Sequence, residues 1–310
     1  MKRHGMAFIW PSHLWQNVAI DMRSRYLIDR SSRTLLLLSA FVSVVILTAI
    51  AVYTFKAALP ALQQIGLWNS LFGKAWHPDY DEYGILPMIV GSIVVTLGAL
   101  IIAVPLGIGC AILLAEVAPY RVRQVLRPAV ELLQGIPSVV YGLVGMVIVV
   151  PLIRHIEGSG YSVAAGITVL TVMILPTIVS ISEDSIRAVP KSYREGSLAL
   201  GATHWQTIWR VLLPSARSGI VASIVLAMGR AIGEAMAMIM VLGSSAVIPS
   251  SLFSPASTLA STIAAEVGEA TPLHRSALFA MSVVLFVLII IINSLALIIL
   301  RRGNRAQNVS

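Results

Sequence analysis

Six long apolar runs, separated by shorter polar stretches, dominate the hydrophobic pattern of this 310-residue chain. An α-helix rises about 1.5 Å per residue, so about twenty apolar residues cross the hydrocarbon core of a bilayer. Backbone groups inside a bilayer must satisfy their hydrogen bonds internally, which favours helices. The pattern therefore predicts an all-α, polytopic helical membrane protein with six transmembrane helices. The expected spans are residues 34–55, 85–117, 128–153, 161–182, 216–243 and 276–300.

Polar segments divide the chain around these spans. They predict an N-terminal segment (1–33), a six-span transmembrane domain (34–300) and a short tail (301–310). Within the domain, a long polar loop (183–215) separates spans four and five. The loop is longer than a turn between neighbouring helices requires, which indicates a structure of its own.

Proline and glycine interrupt the third span in the sequence QGIPSVVYG, which contains Pro137 and Ser138. Non-helical backbone at membrane depth is tolerated only against protein or a water-filled cavity. Freed amides, the Ser138 hydroxyl and Tyr141 are therefore candidates to line a path through the membrane. A packing kink explains the same residues, and for Tyr141 the two interpretations have equal weight.

Charge is scarce and unevenly placed. Only 12% of the residues are charged, 57% are hydrophobic, and the net charge is +8. Seventeen of the 22 Lys and Arg residues fall in the N-terminal segment, the second–third loop, the fourth–fifth loop and the tail. By the positive-inside rule, both termini are cytoplasmic. This distribution explains the positive net charge of the chain, so no nucleic-acid partner is needed to account for it.

Arg230 falls deep inside a predicted span, and Glu234 follows four residues later. Residues four apart share a face of a helix, and ionisable residues within a membrane usually face a cavity or a partner. Arg230 can offer a fork of donors to the oxygens of an anion, with Glu234 moderating the attraction. A structural ion pair that locks span five to a neighbour is the alternative, and the GxxxG spacing of Gly229 and Gly233 supports close packing nearby.

The stretch EGSLALGATHWQTIWRVLLPSARSGI, residues 195–220, carries a second pattern. Trp205, Ile208, Trp209 and Leu212 recur at helical spacing and predict one apolar face. A patch of small residues precedes them, and Gly201 can adopt the positive φ that ends a first short helix. Two short helices bounded by prolines at 190 and 214 would suit docking into a groove of a partner. An interfacial loop with aromatic side chains at the lipid headgroups fits equally well.

The spacing of this stretch resembles the EAA loop of ABC importer permeases. Glu195-Gly-Ser, three residues, Gly201, nine residues and Val211-Leu-Leu-Pro214 match E-A-A, three residues, G, nine residues and I-x-L-P. Gly196 and Ser197 replace the alanines, and Val211 replaces isoleucine. In that family the loop docks on the ATPase subunit. The resemblance therefore implies a coupling segment (183–215) whose contact residues are Glu195, Gly196, Ser197, Ala199, Gly201, Ala202, Trp205, Trp209, Leu213 and Pro214.

Further motifs, including LLQGIPSVVYGL and MGRAIGEAMA, resemble the phosphate-importer permeases of the PstC type, with the PstA type a close second. The resemblance implies a multi-pass permease of the prokaryotic plasma (inner) membrane, working with a second, PstA-like permease. It also implies two copies of a PstB-like ATPase subunit and an extracytoplasmic, PstS-like phosphate-binding protein. Phosphate would pass near Arg230 and Glu234.

No cofactor is expected in this chain. It has no G-x-x-x-x-G-K-[ST] phosphate loop and no HExxH motif, so ATP and Mg are expected on the partner ATPase. Other hypotheses are a permease for another oxyanion such as molybdate or sulfate, a membrane-embedded enzyme that uses Arg230, Glu234 and Tyr141, and a self-contained channel. An enzyme has no need of an ATPase-docking loop, which favours transport.

Overall fold

A computed structural model describes the backbone of residues 12–305 and the side chains of residues 32–294. The chain divides into two compact units, Met1–Lys56 and Ala57–Ser310. The first unit, as far as it is described, is helical, and the side chains at 32–50 are all exposed. Helix α1, Ser12–Ile65, runs without interruption through the predicted domain boundary at 33/34. The first eleven and last five residues of the predicted terminal segments lie outside the described residues.

The second unit is built almost entirely from helices. Its short elements on the predicted outer side are α2 (Leu67–Phe72) and an antiparallel hairpin of β1 (Trp76–His77) and β2 (Glu82–Tyr83), with a 3₁₀ turn at Pro78–Tyr80. The remaining helices are α3 (Leu86–Ile112), α4 (Tyr120–Gly135), α5 (Ser138–Val144), α6 (Val150–Arg154), α7 (Val163–Arg187), α8 (Lys191–Ala199), α9 (His204–Thr207), α10 (Leu213–Ile232), α11 (Met236–Leu242), α12 (Leu259–Glu266) and α13 (Pro272–Arg305).

Three π-helical turns join some of these helices into longer ones. They are Leu113–Val117 after α3, Gly145–Val149 between α5 and α6, and Ile208–Leu212 between α9 and α10. Such turns are rare and occur mostly as single insertions within α-helices, often at functional sites. Here one lies at the end of span two, one inside span three and one at the start of span five.

Among the described residues, five helices are long and apolar enough to cross a membrane, and a bent pair raises the number to six. The bent pair is Tyr120–Gly135 with Ser138–Arg154, which meet at 97°. The predicted break in span three is confirmed. The predicted start of that span at residue 128 is wrong, because α4 begins at Tyr120 and is a separate, strongly amphipathic helix with no buried residue.

Span five differs most from its predicted bounds of 216–243. The helix begins at His204 and ends at Ile232, and the next helix, α11, starts only at Met236. Pro214 lies inside this continuous helix, directly after the π-helical turn Ile208–Leu212, so it does not end the helix. The second of the two expected short helices is therefore the first part of span five.

Helices α3 and α7 form the centre of the core. Buried side chains of α7, including Leu170, Met173 and Ile174, are fully enclosed. Glycines of α3 allow the close approach: a Cβ atom on Gly107 would lie 2.7 Å from Ile178 Cγ2. Burying such side chains contributes about 1.5–3 kcal/mol each.

A polar cluster secures the hairpin to the helices that follow it. Trp76 donates from Nε1 to Glu266 Oε2 at 3.0 Å, and His274 Nε2 lies 2.8 Å from the same oxygen. Burial, followed by the nearby charge of Asp81, raises the pKa of Tyr83, whose ring packs edge-on against Trp76. This small sheet is the only strand structure in the described chain, and it fills part of the loop between spans one and two.

Candidate functional site

Two spans are interrupted by a break in the helix, and the helices that follow the two breaks pack against each other. The first, at Ile136 and Pro137, separates α4 from α5, and the second, at 233–235, separates α10 from α11. Helices α5 and α11 touch closely: a Cβ atom on Gly142 would lie 2.8 Å from both Ala237 Cα and Met240 Sδ. Irregular backbone from two spans is therefore concentrated in one region.

At the first break, Tyr141 stabilises the bend. Its hydroxyl donates to the carbonyl oxygen of Leu133 at 2.7 Å, in the last turn of α4. The same carbonyl accepts from Ile136 N at 3.3 Å, so the Tyr141 hydroxyl adds a second hydrogen bond that spans the bend. Pro137 is exposed and Ser138 is half-buried, with no hydrogen bond from the Ser138 hydroxyl to any described residue. Tyr141 thus has a structural bond, while Ser138 has its hydroxyl available.

At the second break, Arg230 and Glu234 do not form the expected pair. The helix ends at Ile232, so Glu234 does not lie one turn above Arg230 on a continuous helix. Glu234 Oε1 instead accepts a hydrogen bond from Ala237 N at 3.1 Å, in the first turn of α11. Negative charge near a helix N-terminus is favourable, which explains this position. No ion pair joins the two side chains among the residues that the structure describes.

Arg230 is left half-buried at the end of α10. The close contact of α5 with α11 connects the second break to the first. A guanidinium group without a carboxylate partner keeps its five donors for other acceptors. Arg230 therefore has donors available for an acceptor, while Glu234 has a separate local role at the start of α11. That Arg230 and Glu234 line an anion path stays a prediction.

The coupling segment has the turn that its sequence predicts. Helix α8 ends at Ala199, and Gly201 adopts φ +84°, a left-handed conformation that favours glycine. Thr203 then begins α9 with a capping box, in which its hydroxyl accepts from Gln206 N and its own N–H donates to Gln206 Oε1. Added Cβ atoms at Gly196 and Gly201 would meet nothing within 4 Å, so these small residues form an open surface.

The predicted apolar face of this segment is divided in two. Ile208 and Leu212 are each 1% exposed and belong to the core, whereas Trp205 and Trp209 are 58% and 53% exposed. The two indoles contact each other edge to face, with centroids 5.7 Å apart. The π-helical turn at Ile208–Leu212 changes the helical register, which the assumption of regular 3.6-residue spacing misses.

None of the remaining predicted contact residues is buried. Ser197 forms a hydroxyl–hydroxyl hydrogen bond with Thr207 at 2.9 Å. The others are exposed or half-buried: Glu195, Ala199, Ala202, Leu213 and Pro214.

Sequence reasoning missed two buried carboxylates next to the coupling segment. The side chains of Glu116 and Glu183 are each only 3% exposed. Glu183 is contacted by Arg187 at 2.7 Å, a spacing of four residues that the sequence displays. Glu116 is contacted by Arg194, and nothing local in the sequence indicates that pair. Among the described residues, no group of three His, Cys, Asp or Glu side chains is suited to a metal ion.

Comparisons with known proteins agree with this architecture. Residues 103–305 match the family described as "Binding-protein-dependent transport system inner membrane component". The chain is 36% identical over 288 residues to the phosphate transport system permease protein PstC of Pasteurella multocida, covering 84% of this chain and 90% of that protein. It is 49% identical over 219 residues to the probable ABC transporter permease protein YqgH of Bacillus subtilis strain 168, covering 69% of this chain and 71% of the relative.

A solved structure supports the fold. The chain superposes with a TM-score of 0.63 on a bacterial ABC transporter involved in the import of the acidic polysaccharide alginate, at 16% identity, covering 94% of this chain and 99% of that chain. The prediction of an ABC importer permease fold is thus confirmed, and the orientation of the termini stays a prediction. The chain belongs to the family of binding-protein-dependent transport system inner membrane components.

Proposed function

We propose that this chain is the transmembrane permease subunit of an ATP-driven ABC importer, and that with a second permease it forms the pathway for inorganic phosphate. The observation that carries the proposal is the 36% identity to a PstC permease across nearly the whole length of both chains. The proteins that resemble this one are transport permeases, so the enzyme hypothesis has no support from them.

The partners follow from the same resemblance. A second, PstA-like permease completes the pathway, and two copies of a PstB-like ATPase bind ATP and Mg. An extracytoplasmic, PstS-like protein delivers phosphate to the outer face. The chain itself needs no cofactor. Long apolar helices agree with a multi-pass membrane protein, and the proposed location is the prokaryotic inner membrane with both termini in the cytoplasm.

In this proposal the two helix breaks form part of the anion path. Arg230 supplies positive charge and hydrogen-bond donors where the backbone is irregular. The Ser138 hydroxyl and the free amides at the start of α5 are further donors near the first break. Glu234 holds α11 in place, because its carboxylate caps that helix. Phosphate oxygens are matched by such a combination of one guanidinium and several neutral donors.

The coupling segment is the proposed contact with the ATPase. Its open surface combines small residues at Gly196 and Gly201 with the exposed indoles of Trp205 and Trp209. Small residues allow a partner to approach the backbone closely, and exposed tryptophans are enriched at interfaces. Because the same helix continues as span five, a displacement at its start would move the end that carries Arg230.

The test is ATP hydrolysis by the complex of this chain with the second permease and the ATPase, reconstituted in nanodiscs with the binding protein. We expect phosphate-loaded binding protein to stimulate hydrolysis, while molybdate and sulfate do not. Stimulation by molybdate or sulfate instead would identify another oxyanion permease. Failure of any ATPase to co-purify with the chain would contradict an importer and favour a channel or an enzyme.

A matched variant tests the docking surface in the same assay. Gly201→Asp introduces a charged side chain at a position with φ +84°, where side chains are strained, on the open face of the segment. We expect the variant to insert in the membrane and to lose ATPase binding or stimulation. Glu157→Gln, on an exposed residue of the opposite loop, should behave as the unaltered chain.

A further inference from the structure

Helix α8 is attached to the last turn of span two through a buried carboxylate. Arg194 of α8 donates from Nη2 to Glu116 Oε1, and His204 Nε2 lies 4.0 Å from Glu116 Oε2. The Glu116 side chain is 3% exposed. A carboxylate so removed from water needs a charged or hydrogen-bonding partner. Arg194, 78 residues further along the chain, supplies it from the coupling segment.

Few other polar contacts hold α8. The helix has no buried residue. Among the described residues, its side chains reach other helices through two hydrogen bonds, Arg194 to Glu116 and Ser197 to Thr207. The second bond leads only to α9, the start of span five. The Glu116–Arg194 pair is therefore the polar link between α8 and span two.

The same turn of span two is held by arginines from two more elements. Arg123 of α4 donates from Nε to Leu114 O at 2.7 Å and from Nη2 to Ala115 O at 3.1 Å. Arg187, at the end of α7, donates to Leu114 O at 3.3 Å. Carbonyls at a helix C-terminus lack intrahelical partners and attract positive charge. The turn Leu113–Val117 is therefore bound by α4, α7 and α8 together.

A second buried carboxylate strengthens the connection between α4 and α7. Glu183 of α7 lies 2.7 Å from Arg187 Nη2 and 3.8 Å from Arg127 Nη1 of α4. Arg127 also contacts Asp184 at 3.0 Å and Glu131 at 3.1 Å. Helix α4 is thus joined to span two by one arginine and to span four by another.

We propose that the turn Leu113–Val117 is where motion of the coupling segment enters the membrane domain, with the Glu116–Arg194 ion pair as its mechanical link. The inference rests on the proposed function, because an ATPase must move α8. A displaced α8 pulls Glu116 and the end of span two. Arg123 passes that motion to α4, since its two hydrogen bonds join α4 to the backbone of span two. Helix α4 then moves against α5 at the bend by Pro137, beside the candidate anion path.

The pair is a positioning contact, so its test compares phosphate uptake with ATP hydrolysis in proteoliposomes that contain the whole complex. Neutralising both partners, Glu116→Gln with Arg194→Gln, removes the ionic link without leaving one buried charge. We expect hydrolysis to continue and phosphate uptake per ATP hydrolysed to fall at least fivefold. Unchanged uptake per ATP in this double variant would overturn the proposal.

Two exposed residues without a partner among the described residues serve as matched controls. Glu157→Gln and Arg121→Gln remove the same charges elsewhere in the chain and should leave uptake per ATP unaltered. If the unaltered complex takes up no phosphate, the proposed function fails. If it does take up phosphate but the double variant remains coupled, only the mechanical link fails.

A covalent replacement tests the link even where the double variant assembles poorly. The chain has one cysteine, Cys110, so a Cys110→Ser background permits specific cross-linking. In that background, Glu116→Cys with Arg194→Cys should be uncoupled when reduced. Joining the two thiols with a short bifunctional thiol reagent should restore at least half of the uptake. Cross-linking confirmed by mass spectrometry, without recovery of uptake, would overturn the proposal.

Discussion

At the scale of single residues, Arg230 is a half-buried positive charge in the last turn of α10, just before the second helix break. Its guanidinium has no carboxylate partner among the described residues, and Glu234 is engaged with Ala237 N instead. A structural ion pair therefore does not explain the presence of Arg230 at the end of a membrane helix. This arrangement favours a role for its charge in attracting an anion.

We predict that Arg230→Gln lowers phosphate uptake about ten- to a hundredfold, because one charge-assisted hydrogen bond contributes about 1.5–3 kcal/mol. The measurement is initial uptake of radiolabelled phosphate by the reconstituted complex. Adding Glu234→Gln should not restore uptake, since the two residues are not paired and the glutamine oxygen can still cap α11. Uptake at the unaltered rate in the double variant would remove Arg230 from the transport path.

The sequence identified Arg230 and Glu234 as notable but not their arrangement. Helical spacing placed them on one face, whereas the helix ends between them and the freed first turn of α11 takes the carboxylate. Glu116 was missed for a different reason. Its partner Arg194 is 78 residues away, and only the folded chain brings the two together.

At the scale of elements, the packing of α3 on α7 provides a matched pair of glycines. Gly107 faces α7, where a Cβ atom would lie 2.7 Å from Ile178 Cγ2 and 2.9 Å from Ile178 Cβ. Gly109, two residues later on the same helix, would place a Cβ atom in open space. The two positions share a helix and a residue type and differ in what they face.

We predict that Gly107→Ala destabilises the protein by about 1–3 kcal/mol, because the added methyl group would clash with the side chain of Ile178. Gly109→Ala should be neutral or stabilising by up to about 1 kcal/mol through its helix propensity. Thermal unfolding midpoints of the detergent-solubilised complex provide the measurement. Equal midpoints for the two variants would contradict the close α3–α7 contact.

Element boundaries could be predicted where a polar residue or proline marks both ends, as for span two, expected at 85–117 and observed at Leu86–Val117. The prediction failed where a helix is amphipathic. The first part of helix α4 was assigned to a loop because its arginines interrupt the apolar run. In the structure, two of them, Arg123 and Arg127, contact span two and span four. Span five was placed too late, since its first turns carry polar residues on one side and buried Ile208 and Leu212 on the other.

At the scale of the whole molecule, the coupling segment and the two helix breaks lie on connected elements. Span five joins Trp205 at its start to Arg230 at its end. Span two reaches the broken third span through Arg123. In the proposed importer, ATP hydrolysis by a partner would act on the proposed anion path through two routes. The central claim is that this chain carries phosphate only when an ATPase drives it.

The most direct test is phosphate accumulation in proteoliposomes that contain the complete complex, with phosphate and its binding protein outside and ATP trapped inside. We predict that internal phosphate rises above the external concentration only when ATP, Mg and the binding protein are all present. A non-hydrolysable ATP analogue should abolish accumulation. Phosphate that merely equilibrates across the membrane without ATP would contradict the account, because it would show a passive channel.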